Sequence, residues 1–69
     1  MKSPTIGDAR AICERLGARA VIVIALTRDD LAGVSYGQTK RECGQVGHAL
    51  DRICKAIEDG RLKVWEDAV

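Results

Sequence analysis

Phenylalanine is absent from this 69-residue chain, and Tyr36 and Trp65 are its only other aromatic residues. One copy therefore has neither a stacking platform for single-stranded nucleic acid nor a large aromatic pocket. Charge of one sign is also missing: eleven Lys and Arg stand against ten Asp and Glu, and neither sign forms a block. That balance argues against a nucleic-acid footprint. Proline occurs once, as Pro4, and no linker, low-complexity segment or internal repeat divides the chain, so residues 1–69 are expected to form a single domain. No apolar run approaches the roughly 20 residues that span a bilayer, and Lys2 is followed by no apolar signal-peptide region. Cysteine is present only as an odd set, Cys13, Cys43 and Cys54, which reads as a reducing compartment. The expected location is cytoplasmic.

What is present is concentrated in Ala20-Val-Ile-Val-Ile-Ala-Leu26, seven consecutive apolar residues of which four are β-branched. A half-buried strand alternates apolar with polar residues. Here Ala20, Ile22, Ile24 and Leu26 make one face and Val21, Val23 and Ala25 the other, so neither faces water comfortably. A core of this size rarely supplies more than roughly 3 to 5 kcal/mol unaided. One face can be covered by the chain's own helices. The second is expected to be covered by another copy, with Val21, Ile22, Val23 and Ile24 at the dimer interface.

The flanking segments read as helix before and hairpin plus helix after. A first helix starts either at Ser3 with Pro4 or at Thr5 with Asp8, and carries Ile6, Ala9, Ile12, Cys13 and Leu16 at helical spacing up to a Gly17 cap. Arg28 to Gly33 has turn composition, and Val34-Ser35-Tyr36 between two glycines is a short edge strand. Thr39-Lys-Arg-Glu42 is a capping box, and behind it Cys43, Val46, Leu50, Ile53 and Ile57 form the most regular apolar stripe of the chain, up to Gly60. Residues 61–69 form a tail, either a docking arm or a third short strand. The fold class is α+β, a compact αββα unit in which two helices pack a two-stranded antiparallel hairpin, expected as a homodimer.

Candidate chemistry is sparse. Gly33-Val-Ser-Tyr-Gly37 spells a nucleophile elbow, but that motif needs a large sheet and a delivered acid and histidine, whereas the only histidine, His48, lies inside the second helix. Two glycines bounding an edge strand is the better reading. Gly44-Gln-Val-Gly47 spells the loop that clamps RNA in KH domains, yet it lies within a helix, where close packing is the better reason for glycine. Cys43 and Cys54 are three turns apart and the chain has no paired ligand spacing, so the cysteines read as small hydrophobes and no metal or cofactor is expected. Arg41, His48 and Arg52 share the polar side of the second helix. With Tyr36 and Trp65 they are the candidate partner-binding residues, because Arg, Tyr and Trp dominate interface energetics.

The element order, together with Gly33-Val-Ser-Tyr-Gly-Gln38, Thr39-Lys-Arg-Glu-Cys43 and Ala49-Leu-Asp-Arg-Ile53, resembles the small early-region proteins of temperate transposable Pseudomonas phages. Within that group it is similar to the anti-quorum-sensing and twitching-inhibitory proteins. The resemblance implies a non-catalytic homodimer that binds and inhibits host proteins: a LuxR-type quorum-sensing regulator and the ATPase of type IV pilus assembly. It carries over no functional residue by position. A small dimeric nucleic-acid-binding or regulatory protein of a phage early region is the other reading.

Overall fold

A computed structural model describes residues 1–65. Of the two possible helix starts the chain uses Thr5. Its hydroxyl accepts the Asp8 N–H at 3.1 Å while the Asp8 carboxylate accepts the Thr5 N–H at 2.9 Å, so two otherwise orphaned amides are satisfied reciprocally. The helix that follows, α1 (Ile6–Leu16), ends at Gly17, whose φ of 65° is the left-handed conformation that glycine adopts without strain.

The apolar run forms β1 (Ala20–Leu26) and pairs antiparallel with β2 (Leu31–Gly37), with Ala20 opposite Gly37, Val23 opposite Val34 and Leu26 opposite Leu31. β2 is longer than the Val34–Tyr36 segment expected from composition. Leu31, Ala32 and Gly33 belong to the strand, and the chain reverses across Arg28 and Asp29, closed by a Thr27 N–H bond to the Asp30 carbonyl at 3.0 Å. Gly33 looks like turn punctuation in the sequence, but it is a packing residue: a Cβ there would lie 2.8 Å from Cδ1 of Leu50.

Leu50 belongs to α2 (Lys40–Glu58), capped by the Thr39 hydroxyl, which accepts the Glu42 N–H at 3.1 Å. The expected reciprocal half of this capping box does not form. The Glu42 carboxylate instead accepts the Thr39 hydroxyl at 3.0 Å and the Arg19 guanidinium at 2.6 Å, tying the start of α2 to the start of β1. α2 lies on the face of Ala20, Ile22, Ile24 and Leu26, since its Leu50 abuts Gly33 and its Gly47 lies near Ser35, both on that side of the ribbon. Tyr36 points to the other side, toward Arg10 of α1. The helices touch the hairpin and not each other.

One helix per face corrects the expectation that the chain's helices cover one side only. The cover is thin nevertheless. Every residue of β1 is half-buried and none is fully buried; α2 buries none of its residues, and the fully buried apolar side chains are Ala9 and Cys13. Ile6 and Leu16, both on the apolar stripe of α1, are 64% and 63% exposed. The third strand considered for the tail is absent among the described residues, where 61–65 run without strand pairing; residues 66–69 lie outside them.

The β2–α2 corner is the tightest contact. A Cβ at Gly37 would fall 2.5 Å from the Cys43 backbone nitrogen and 2.6 Å from the Glu42 carbonyl carbon, neither of which can move alone. Gly44, by contrast, has open space around it, so the expected close approach at the Gly44–Gly47 pair does not occur at Gly44. Gly37→Ala is therefore expected to destabilise the protein by about 3 kcal/mol, at the upper end of overpacking costs. Gly44→Ala is expected to stabilise it by about 0.5–1 kcal/mol. Urea unfolding of both variants checks the opposite signs.

Candidate functional site

The residues singled out for partner binding do not converge on one place. Arg41, His48 and Arg52 are all exposed and follow one another along the side of α2 turned away from the hairpin, because a spacing of seven and then four residues returns to the same helical face. Tyr36 is half-buried on the far side of the ribbon, toward α1. Trp65 sits at the opposite end of the molecule from the α2 N-terminus, beside the hairpin turn, with the Arg28 guanidinium 5.3 Å from its ring centroid. The four residues assigned to a dimer interface divide likewise. Ile22 and Ile24 face α2, and Val21 and Val23 face α1.

The outer side of α2 carries Arg41, His48 and Arg52 in line, on a helix whose position is set by Thr39, Gly37 and Leu50. Glu42, beside Arg41, is held below the usual carboxylate range, first by the Thr39 hydroxyl bond and then by Arg19, and so it is committed to the cap and to β1, while Asp51 and Glu58 stay exposed on the same helix. A rigid helix face carrying cations suits contact with an acidic or mixed protein surface.

Trp65 belongs to a second feature that sequence reasoning located only in part. Leu26, Leu31, Ile57, Leu62, Val64 and Trp65 line an open groove of about 690 Å3 where the hairpin turn, the end of α2 and the tail meet, with Arg28, Asp29, Asp30 and Glu58 at its rim. The alternation of Leu62 and Val64 with Lys63 and Trp65 is the sequence signal in this segment, which reads as either a docking arm or a third short strand. Leu26 and Leu31 give none, since Leu26 reads as interior strand and Leu31 as part of the turn.

The cysteines have separate tasks. Cys13 is buried and its thiol donates to the Ala18 carbonyl at 3.0 Å. Cys43 clasps one residue twice, its sulfur accepting the Gly37 N–H at 3.2 Å and its S–H donating to the Gly37 carbonyl at 3.0 Å. Burial, and then Glu58 and Asp51, push the Cys54 thiol up. Ser35 lies inside β2 and faces Gly47 of α2, rather than standing on a strand-to-helix elbow. Among the described residues no cluster of three His, Cys, Asp or Glu is placed to hold a metal ion, and no helix is long and apolar enough to cross a membrane.

A carboxylate held below its unfolded value stabilises the fold at pH values above that unfolded value, and the contribution disappears as pH falls through the folded one. Glu42→Gln is thus expected to lower the urea midpoint at pH 7 and to leave it nearly unchanged at pH 2, measured against the parent chain at each pH. Comparison with family models, with curated proteins and with solved structures found no match to this chain.

Proposed function

We propose that this chain is a non-catalytic protein-binding module that works as a homodimer and acts by occupying surfaces of other proteins. One observation carries the reading: a hairpin apolar on both faces, sandwiched between two helices, in which no strand residue of β1 is fully buried. Incompletely covered apolar surface of this kind marks a contact site for another chain. Exposed Ile6, Leu16, Leu62 and Trp65 add to the apolar surface, and the polar side of α2 with Arg41 and Arg52 supplies a rigid contact face.

The resemblance to phage early-region proteins gives this module its proposed setting, the cytoplasm of a bacterial host, and its proposed targets, a LuxR-type quorum-sensing regulator and the pilus assembly ATPase. An inhibitor that acts by stoichiometric binding needs a rigid surface and no reacting group. Arg41, His48, Arg52 and Trp65 are the residues proposed to meet the host protein, with Tyr36 supporting the ribbon from behind.

Titration calorimetry with the purified regulator and the purified ATPase tests this. The parent chain is expected to bind at least one of them at micromolar concentration or below. The Arg41→Glu, Arg52→Glu double variant, with an unchanged circular dichroism spectrum, is expected to bind at least about tenfold more weakly, since like charges brought together at a contact cost more than about 1.4 kcal/mol. No heat with either protein at high micromolar concentration contradicts the assigned targets, and full affinity in the double variant contradicts the assigned face.

A further inference from the structure

The two outer edges of the hairpin are not equivalent. The Gln38 N–H donates to the Arg19 carbonyl and the Thr27 N–H to the Asp30 carbonyl, both at 3.0 Å. With the strand register, these two bonds fix which backbone groups turn inward: in β1 they are those of Val21, Val23 and Ala25. The N–H and C=O groups of Ala20, Ile22, Ile24 and Leu26 therefore point away from β2, and none has a hydrogen-bond partner among the described residues.

The matching edge of β2 is closed at both ends. Its Leu31 N–H is taken by the Asp30 carboxylate at 2.9 Å, and both backbone groups of Gly37 are taken by the Cys43 thiol. The β1 edge also carries no charge, no proline and no bulge, three devices that keep such an edge single, along all seven residues of Ala20–Leu26. Upstream the open run stops abruptly, because the Ala18 carbonyl already accepts the Cys13 thiol and the Gln38 side-chain amide.

We propose that the β1 edge is the dimer contact, with a second copy's β1 added antiparallel about a two-fold axis at Val23, giving a four-stranded sheet in the order β2-β1-β1-β2. This rests on the homodimeric reading above and specifies its surface and register. In that register Ala20 meets Leu26 of the second copy, Val21 meets Ala25, and Ile22 meets Ile24. Every outward N–H and C=O of both β1 strands is then paired, which no other antiparallel register achieves. Small residues oppose large ones at the ends, and both apolar faces continue unbroken across the axis.

The surface area is consistent with such a contact. The chain exposes 5376 Å2, where a compact monomer of its mass exposes about 4,200 Å2.

The test joins native mass in solution with two modified chains. Val23→Cys places a thiol on the axis, where the facing Cα atoms of a non-hydrogen-bonded pair stand about 4.5 Å apart, and it is expected to couple to itself under mild oxidation, the linked peptide being identified by mass. Val21→Cys and Ala25→Cys are each expected not to self-couple but to couple to one another when mixed. A synthetic chain N-methylated at Ile24 keeps its side chains and its β1–β2 ladder, and is expected to be folded and monomeric. A dimer that survives N-methylation and does not link through Val23→Cys overturns the edge while leaving the dimer in place. A monomer at every concentration overturns both. A monomer that binds a host protein and loses it on N-methylation assigns the edge to a foreign strand and overturns the second copy as its occupant.

Discussion

Two strands about 4.8 Å apart make a platform narrower than one α-helix, which is about 10 Å across with its side chains. Every other property of this fold follows from setting a helix on each side of so narrow a ribbon. Neither α1 nor α2 can find enough sheet beneath it, so β1 stays half-covered on both faces and α2 buries none of its residues fully. The chain compensates locally. Gly33 and Gly37 let α2 settle onto β2, the Cys43 thiol locks the corner, and Arg19 joins β1 to the α2 cap through Glu42. These contacts fix the position of α2; they do not widen the sheet.

Most of the architecture was legible because it rests on local rules. The Thr5 and Thr39 caps, the Gly17 terminator and the seven-residue strand are each dictated by a few neighbouring side chains. The extent of β2 was not. Gly33 carries no local sign that it is needed for Leu50, which lies 17 residues further on, and a glycine beside Asp29 and Asp30 reads as turn. The same blindness to distant contacts misassigned Gly44 as a packing residue and left the Cys43 clasp on Gly37 unforeseen.

The site was legible in composition and not in arrangement. Periodicity alone puts Arg41, His48 and Arg52 on one helical side, and the structure keeps them there. Which side of the ribbon Tyr36 takes follows from strand parity, but what lies across from it depends on where α1 docks. The hairpin-end groove joins Leu26 and Leu31 to Leu62, Val64 and Trp65, residues that meet only because α2 returns the chain to the turn. Doubly apolar β1 pointed to a missing cover on one face. The finding is subtler: each face has a helix, and what is unmet is a row of backbone groups along one edge together with part of each face.

Amide hydrogen exchange resolved residue by residue addresses that edge most directly. Completion of the sheet by a second copy predicts that the Ile22 and Ile24 amides are protected as strongly as those of Val21 and Val23, and that their protection falls on dilution while the Val21 and Val23 amides hold. Rapid exchange at Ile22 and Ile24 at every protein concentration, beside protected Val21 and Val23, would contradict the account.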